Sequence, residues 1–533
     1  MWMRTHVLAI GVLSTMAQLS SACWQQNLGE KPPDRSLYFP SGLLVDPRAT
    51  SERPARWLFV ANANSDLRYS GGTLVAIDLR AFFEAWEIPG SGTVDAKRIL
   101  APDSEFGSES NAGQCRRNAQ RPAIVECDER HFVAHRVHIG DFSTVVRYSN
   151  EPHGLRLWVP VRGDPSITYI DVLEQEDSLQ FECGAGENSG ESDSLRCGAD
   201  HRLMDRRNDP NSADSDRLDR EPFNLLVSPD PNIRLAYVAH ASSGELTLIA
   251  LDGPTLGDRR PAIVDSFSLF SAENTLPGGF GLAQRPCFVA GANPADPNDG
   301  SSNVPSATLA GERACAHPLV YASHRYVRYV TSFTAVAPAI EEGTQKCVGP
   351  DELDVAGGVV CDEHVVPLRR FSSGGLDTFA GNSLPPPTLG AMAFGDARGD
   401  ELYVVQTTPG ALLRIDTSLD DSGRPRDVPS APPVEICGEP STLVVHDDGV
   451  ERLAFVSCYQ SAHVFIVDLP TFRVVEAVLA GTGPHDMAVD AAREFLYVAN
   501  TLEASISVID ISRTRATRFS EVVRLGVPEP YSR

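Results

Sequence analysis

Two proline–histidine pairs, Pro152-His153 and Pro484-His485, carry the side chains with the most versatile chemistry in this sequence. An imidazole can bind a metal ion, transfer a proton or hydrogen-bond the backbone. A metal site would need a third and a fourth ligand from elsewhere in the chain. The candidates are Glu151, Asp486 and His240. Because only folding would assemble such a set, the simpler interpretation is favoured, in which each histidine hydrogen-bonds backbone in a turn.

Several catalytic signatures do not occur in the sequence. It contains no G-x-S-x-G, H-E-x-x-H, phosphate-binding loop or C-x-x-C-H motif, which argues against a serine hydrolase, a zincin and a c-type cytochrome. Aspartates recur instead at the ends of short β-branched runs, where an aspartate caps the following turn. These aspartates are Asp78, Asp171, Asp416, Asp468 and Asp510.

The eleven cysteines comprise Cys23 and ten others. An even number in an exported protein favours disulfides, and the lack of any C-x-x-C spacing argues against redox and zinc motifs. The ten form five sequential couples: Cys115 with Cys127, Cys183 with Cys197, Cys287 with Cys315, Cys347 with Cys361, and Cys437 with Cys458. We expect disulfides within these couples, while the spacing alone leaves the connectivity open.

The N-terminus has the features of an export signal. Residues 1–22 place Arg4 before a short apolar stretch and a small-residue exit, typical of a secretory signal peptide. The exit resembles a bacterial lipobox, which implies that Cys23 is lipidated and that residues 23–35 form an anchor and polar tether. The alternative is ordinary cleavage after Ala22. Trp24, in place of the inner-membrane retention aspartate of lipoproteins, favours the outer membrane, facing the periplasm or the cell surface.

Composition restricts the partners and the fold. The net charge of −25 argues against nucleic acid, because binding a phosphate backbone needs clustered Lys and Arg. With 42% hydrophobic residues the chain can bury a sizeable core, and its 42 glycines and 39 prolines are consistent with many turns. Large all-β folds often exceed the average domain length, so a single domain over residues 36–533 is compatible with the length of the chain.

A repeated unit positions these residues, and it is clearest at residues 481–511. It consists of a turn proline with a short apolar run, a second run such as LYVAN, and a third run such as ISVID, the pattern of consecutive antiparallel strands. The turn prolines are Pro40, Pro152, Pro222, Pro286, Pro387, Pro440 and Pro484. The second runs begin at Leu58, Leu157, Ala236, Val320, Leu402, Ala454 and Leu496. Seven such units predict seven four-stranded blades packed around an axis.

The unit resembles the YVTN repeat of lactonase-like β-propellers, over most of residues 36–530. The resemblance implies a seven-bladed β-propeller with long disulfide-bearing insertions, and six or eight blades are the alternative because the unit from Pro286 to Thr331 is the weakest. In such propellers the residue after the turn proline often faces the mouth of the central channel. These residues are Ser41, His153, Phe223, Cys287, Thr388, Ser441 and His485. The resemblance thereby makes His153 and His485 the candidate ligand-binding residues.

Long insertions separate several strands, at residues 82–138, 173–220, 291–314 and 335–385. Loops of this length in a compact fold are either functional or poorly ordered. If they emerge on one face, they would form a binding surface there.

Two function classes follow. The first is an exported, lipid-anchored and monomeric propeller that binds a protein, a glycan or a small ligand on its loop-covered face, with no catalytic residue and no cofactor. The alternative is a lactonase-like or quinoprotein-like enzyme, with a cofactor or a metal such as calcium or zinc in the channel near His153 and His485.

Overall fold

The computed structural model describes thirteen stretches of the chain: residues 29–50, 53–107, 113–175, 178–185, 195–205, 218–230, 233–252, 260–268, 278–286, 318–335, 365–375, 388–421 and 424–527. The predicted signal peptide (1–22), Cys23 and the predicted couples Cys287 with Cys315 and Cys347 with Cys361 lie outside these stretches. No helix within them is both long and apolar enough to cross a bilayer.

The first two blades carry most of the additions to the four-stranded plan. Blade 1 begins with β1 (Pro40–Val45), β2 (Trp57–Asn62) and β3 (Gly72–Asp78). Helix α1 (Leu79–Trp86), β4 (Cys115–Arg117), β5 (Val125–Cys127) and the 3-10 helix Glu129–His131 precede its fourth strand, β6 (Val133–Ile139). Blade 2 comprises β7 (Arg147–Glu151), β8 (Gly154–Val161), β9 (Ser166–Gln175) and β10 (Ser178–Glu182), followed by the 3-10 helix Ala199–His201 and β11 (Arg202–Met204), which pairs with β9.

Blades 3 to 7 are more regular. Blade 3 comprises β12 (Pro222–Val227), β13 (Leu235–His240), β14 (Glu245–Ala250) and β15 (Ala262–Ser268). Blade 4 comprises β16 (Gly279–Gln284), β17 (Leu319–His324), β18 (Tyr329–Ala335) and β19 (Val365–Ser372). Blade 5 comprises β20 (Thr388–Phe394), β21 (Glu401–Thr408), β22 (Ala411–Asp416) and the short β23 (Val428–Pro429) and β24 (Val434–Glu435). Blade 6 comprises β25 (Pro440–Asp447), β26 (Arg452–Cys458), β27 (His463–Asp468) and β28 (Arg473–Leu479). Blade 7 comprises β29 (Pro484–Asp490), β30 (Phe495–Asn500), the 3-10 helix Thr501–Glu503, β31 (Ser505–Asp510) and β32 (Ser520–Leu525).

Seven sheets with this sequential order make a seven-bladed β-propeller, which confirms the predicted fold class and the count of seven. The apolar core is divided among the blade interfaces. On β2, Trp57 and Phe59 pack against blade 2, whereas Leu58 and Val60 pack against blade 7. Successive side chains of a strand point to opposite faces, so each sheet is buried on both sides. The second strands therefore appear in the sequence as continuous apolar runs.

The predicted second and third strands are present in all seven blades, but the first strand differs in two of them. In blade 2, Pro152 and His153 form the turn between β7 and β8, and the innermost strand is β7. In blade 4 the innermost strand is β16, and Pro286 follows it. Blade 2 differs because the residues after Pro152 continue directly into β8, which is one uninterrupted strand. Blade 4 differs because Gly278-Gly279 takes the place that the turn proline has in other blades.

Three of the predicted disulfides lie in the described residues, and all three are confirmed. They join Cys115 to Cys127, Cys183 to Cys197 and Cys437 to Cys458, with Cα–Cα distances of 4.1, 5.0 and 6.0 Å.

The insertions attach at both ends of the blades. The segments 79–132, 285–318 and 336–364 join a first strand to a second or a third strand to a fourth. In an antiparallel blade those connections lie at the end where the innermost strand finishes. The segment 183–221 joins a fourth strand to the next blade and begins at the other end. The strand ends to which the insertions attach therefore do not all lie at one end of the blades.

Candidate functional site

A cavity of about 630 Å³ opens where the innermost strands begin, and we call it the channel mouth. Two kinds of position line it, the first residues of the innermost strands and the turns between the second and third strands. One residue of the first kind comes from each blade: Ser41, Thr144, Phe223, Phe280, Thr388, Ser441 and His485. Five of the seven positions derived from the sequence are thus brought together, while Thr144 and Phe280 stand where His153 and Cys287 were expected.

A β-bulge turns these residues towards the channel. The pairing of the innermost strand with the second strand shifts register near the strand start in six blades, for example between Pro40 and Gly42 and between Pro484 and Met487. A bulge adds one unpaired residue and re-aims its side chain. The turn proline and the bulge together explain why the next residue reaches the channel mouth.

His485 is held in place by its neighbours. Its Nδ1 lies 2.9 Å from the carbonyl oxygen of Ser41 in blade 1, so Nδ1 carries the proton and donates. The Ser457 hydroxyl of blade 6 donates to the His485 carbonyl at 2.7 Å. His485 therefore hydrogen-bonds backbone, as the simpler interpretation expected. Its half-buried ring keeps Nε2 as the second polar atom on the wall of the channel mouth.

Similar bonds join other neighbouring blades at this level. The Thr144 hydroxyl donates to the Phe223 carbonyl, the Asn224 amide donates to the Phe280 carbonyl at 3.0 Å, and the Ser323 hydroxyl donates to the Gly390 carbonyl at 2.6 Å. Each bond crosses a blade interface. The rim of the channel mouth is therefore fixed by interactions within the protein, and a ligand would meet a pre-formed surface.

One side of the channel mouth combines aromatic rings with guanidinium groups. The Phe223 and Phe280 ring centroids are 4.7 Å apart, and the Arg162 guanidinium lies 5.6 Å from the Phe223 ring. A second arginine, Arg325, lies 5.9 Å from the ring of Tyr326, which is 45% exposed. Stacking and cation–π interactions are available on such a surface.

Arg162 also has a hydrogen-bond donor for which the described residues provide no acceptor. Its Nη2 donates to Glu221 at 2.9 Å, and this hydrogen bond lowers the pKa of the Glu221 carboxyl. Its Nε is buried, with no hydrogen-bond partner among the described residues. A buried N–H donor without an acceptor is costly, so a bound acceptor would be stabilised there.

The opposite side of the channel mouth is rich in hydroxyl groups. The Ser441 hydroxyl lies 2.9 Å from that of Ser457, and the Thr501 hydroxyl donates to the Pro40 carbonyl at 2.7 Å. Further hydroxyls on the same wall belong to Ser41, Ser143, Thr388, Thr407, Thr408 and Tyr459. Hydroxyls both donate and accept, which suits a ligand with many hydroxyl groups of its own.

His153 lies in a different place from His485. It precedes β8, whereas Arg162 of the channel mouth follows β8, and eight residues of strand separate the two by about 25 Å. Its Nε2 is 3.1 Å from Asp171 Oδ1, and it lines a separate cavity of about 350 Å³ on the flank of blade 2. The two histidines cannot share one ligand, because the second repeat begins at β7 and not at Pro152.

The remaining candidate ligands do not gather around either histidine. Within the described stretches, no group of three or more His, Cys, Asp or Glu side chains is arranged to hold a metal ion. Both ring nitrogens of His240 are engaged, with the Arg220 carbonyl oxygen at 3.0 Å and the Thr247 hydroxyl at 2.9 Å. Cys287 lies outside the described residues. Four of the recurring aspartates cap the following backbone as expected, and Asp171 pairs with Arg156 instead.

A second set of channel-mouth residues was not predicted, although the sequence contained a signal for it. In six repeats the residue directly after the five-residue second run lines the cavity. These residues are Ala63, Arg162, Arg325, Thr407, Tyr459 and Thr501. The turn between the second and third strands lies at the same end of the blade as the turn proline, which is the end at the channel mouth. The residue that directly follows LYVAN, or the equivalent run in another repeat, therefore lines the channel mouth.

Comparison with known proteins adds little beyond the fold. No family model matches this chain, and no curated protein matches it. Hydrazine synthase of Kuenenia stuttgartiensis aligns with 93% of this chain and 99% of its own, at 11% identity and a TM-score of 0.47. The periplasmic gluconolactonase of Pseudomonas aeruginosa aligns with 84% of this chain and 87% of its own, at 15% identity and a TM-score of 0.41. Virginiamycin B lyase of Staphylococcus aureus aligns with 88% of this chain and 95% of its own, at 9% identity and a TM-score of 0.40. Similarity this low transfers no activity, and the relation to YVTN and lactonase-like proteins stays a resemblance of repeat pattern.

Proposed function

We propose that this protein is an exported, lipid-anchored binding protein whose channel mouth holds a short glycan. The observation that carries the proposal is the two-sided lining of the channel mouth. Rings such as Phe280 and Tyr326 offer a surface for the apolar face of a sugar, and the hydroxyl-rich wall offers partners for its hydroxyl groups. Arg162 and Arg325 add charge-assisted donors for an acidic substituent.

Export and anchoring rest on the cysteines. Disulfides form and persist in oxidising compartments, and three lie in the described residues. Lipidation of Cys23 and the outer-membrane location indicated by Trp24 complete the proposal. The domain would then stand off from the membrane on the residues between Cys23 and Glu30, since the Glu30 backbone already hydrogen-bonds Arg68 and Ser70 of blade 1, with its channel mouth accessible as a monomer.

The enzymatic alternative depended on a metal or cofactor near both His153 and His485. The two side chains line different cavities, His485 in blade 7 at the channel mouth and His153 on the flank of blade 2. The two histidines therefore cannot hold one metal or cofactor together. We accordingly propose the binding role.

The test is a glycan array followed by calorimetric titration of the best binder. Phe280→Ala and Arg162→Ala should each weaken binding about tenfold or more, which corresponds to about 1.4 kcal/mol. Phe106→Ala and Arg473→Ala remove the same side chains away from the channel mouth and should leave affinity unchanged. Failure of every glycan to bind, or equal losses in the control variants, would overturn the proposal.

Anchoring is tested separately by fractionating cells. The full chain should be found in the membrane fraction and carry the mass of a lipid, and Cys23→Ser should be released as a soluble form. A membrane-bound Cys23→Ser protein would contradict anchoring and leave the channel-mouth proposal intact.

A further inference from the structure

The N-terminal segment of the described chain is fixed at the channel-mouth end of blade 1. The Glu30 N–H donates to the Arg68 carbonyl at 3.1 Å, and the Ser70 N–H donates to the Glu30 carbonyl at 2.8 Å. Arg68 and Ser70 belong to the turn between β2 and β3, and Ser65 of the same turn lines the channel mouth. Because Ser65 and Arg68 are three residues apart, the attachment lies within about 11 Å of the cavity wall.

The packing around Glu30 is close on both sides of it in the sequence. Gly29 has a φ of +61°, and a Cβ there would lie 2.5 Å from the Tyr69 carbonyl carbon, so a larger residue would clash and be strained. The ring of Tyr38 meets that of Tyr69 edge-on, with centroids 4.8 Å apart. This segment is therefore part of the folded domain, and the chain that links the domain to Cys23 consists only of the residues before Gly29.

This attachment limits how far the domain can stand from a lipid on Cys23. Cys23 and Gly29 are six residues apart, and even a fully extended chain of that length spans only about 20 Å. The second strands of the blades have six to eight residues, which corresponds to about 20–27 Å. If the far end of the blades faced the membrane, Gly29 would lie at least one strand length away from it, beyond the reach of Cys23. The far end is therefore excluded as the end that faces the membrane.

Exposed side chains on opposite sides of the ring favour the channel mouth over the outer edge of blade 1 as the surface that faces the membrane. Leu67, in the turn that holds Glu30, is 55% exposed, and Tyr326, in the corresponding turn of blade 4, is 45% exposed. Tyrosine rings are enriched at the headgroup level of membranes. Blades 1 and 4 lie across the ring from each other, so both side chains reach one membrane only when the end of the propeller faces it.

From this geometry we propose that the channel mouth faces the membrane that holds Cys23, and that its occupant is the sugar headgroup of a glycolipid in that same membrane. The proposal rests on the lipidation of Cys23 and on the glycan-binding role argued above. A tether of at most about 20 Å leaves a gap that a short glycan on a lipid can cross. The aromatic and hydroxyl-rich sides of the channel mouth then contact sugars that project from the bilayer.

The orientation is tested on the lipidated protein in vesicles of phosphatidylethanolamine and phosphatidylglycerol that contain a headgroup-labelled energy-transfer acceptor. A fluorescent amino acid is incorporated at Ser461, in the channel-mouth turn of blade 6, or at Val450, in the far-end turn of the same blade. Both positions are exposed and lie at opposite ends of β26, so they differ mainly in depth along the blade. Transfer should be several-fold more efficient from position 461. Equal transfer, or more transfer from position 450, would overturn the proposal.

A longer tether is the matched control for the role of chain length. A linker of about 20 Gly and Ser residues between Trp24 and Gln25 adds a root-mean-square length of about 25 Å. Either end of the propeller can then approach the membrane, so the difference between the two labels should shrink. An unchanged difference would contradict the limit that the short tether sets.

The occupant is tested by vesicle flotation, with rough lipopolysaccharide, a glycolipid that carries a short glycan, as the probe. The Cys23→Ser protein, which lacks the lipid, should float with phosphatidylethanolamine vesicles only when they contain this probe. Phe280→Ala should lose most of that binding, and Phe106→Ala, which removes the same ring away from the channel mouth, should keep it.

Failure of this inference can be told apart from failure of the proposed function. If a free glycan binds in solution but the probe vesicles are not bound, or the two labels show equal transfer, this inference fails and the binding role stands. If position 461 shows the greater transfer but no glycan binds in any form, the binding role fails and takes the glycolipid with it, while the orientation stands.

Discussion

The polar residue that ends a second strand in this propeller is an architectural element. Asn62, His240, His324 and Asn500 are all buried, and each hydrogen-bonds a hydroxyl of the third strand in its own blade. His240 looked like a candidate metal ligand in the sequence, yet its partner is Thr247. Polar residues recur at this position of the repeat, and that recurrence predicted the structural role of His240 better than the metal-binding chemistry of imidazole did.

Glu129 is a single residue with a predictable effect on stability. It is 7% exposed, and its Oε1 accepts from the Leu37 backbone N–H at 3.3 Å. Burial raises the pKa of its carboxyl to about 7, against 4.5 in an unfolded chain. Between those pH values the folded protein keeps a proton that the unfolded chain releases. The free energy of unfolding should therefore fall as pH rises from 4.5 to about 7, by roughly 3 kcal/mol from this group, and then level off.

Glu129→Gln should remove most of that decline and make the protein more stable above neutral pH. Denaturant unfolding at a series of pH values measures it. Asp427, whose pKa burial raises from 3.8 to about 6, should still give a decline of the same sign and similar size, between those two lower pH values. Glu476→Gln removes an exposed carboxyl and should keep the wild-type profile. An identical pH profile for Glu129→Gln and the wild type would rule out this assignment.

At the scale of elements, sequence periodicity predicted the second and third strands of every blade. These strands are buried on both faces, so their apolar runs are uninterrupted and easy to recognise. The innermost strands of blades 2 and 4 were missed because the chain enters them through Ser143-Thr144, just before β7, and through Gly278-Gly279, at the start of β16, without the turn proline. The first error misplaced His153 and the second left out Phe280, so the channel mouth was only partly predicted. Its aromatic and guanidinium side depends on neighbouring blades meeting in space, which no single repeat encodes.

One element joins two distant parts of the chain. The clasp hairpin, β4 and β5 of the blade 1 insertion, adds to the outer edge of blade 7, where β5 pairs in parallel with β32. The Gly526 N–H donates to the Cys127 carbonyl at 2.9 Å, and both cysteines of the hairpin are fully buried. An insertion that looked like a loop in the sequence therefore protects a sheet edge.

Cys115→Ser with Cys127→Ser should loosen the clasp hairpin. The disulfide closes a loop with a sequence separation of 12, for which chain entropy predicts a loss of about 3 kcal/mol. Cys183→Ser with Cys197→Ser opens a loop with a similar separation of 14 on blade 2 and serves as the control. Hydrogen exchange should accelerate at β32 in the first double variant only. Equal exchange at β32 in both would mean that the clasp hairpin does not protect blade 7.

At the scale of the whole molecule, the ring closes without exchanging any of the four main strands between its first and last blades. Blade 7 takes its four main strands from the C-terminal end of the chain, and blade 1 takes its own from the N-terminal end. Apart from the clasp hairpin, closure rests on the packed interface between the two blades and on hydrogen bonds to β1. Thr501 donates to the Pro40 carbonyl, His485 donates to the Ser41 carbonyl, and Asp486 accepts from the Leu43 N–H.

Asp486 is the place to test whether this interface holds the ring closed. Its carboxylate is 3% exposed and accepts from the Leu43 N–H at 2.9 Å, so Asp486→Ala leaves a buried backbone donor unpaired, at a cost of about 1–3 kcal/mol. Asp468→Ala removes a turn cap at the exposed edge of blade 6 and should cost about 0.5–1.5 kcal/mol. Hydrogen exchange measured by mass spectrometry should accelerate in both β1 and β29 for Asp486→Ala, because separating the two blades exposes both strands. Faster exchange in β29 alone would show that blade 7 frays by itself, and that the clasp hairpin and the apolar interface are sufficient to hold blade 1.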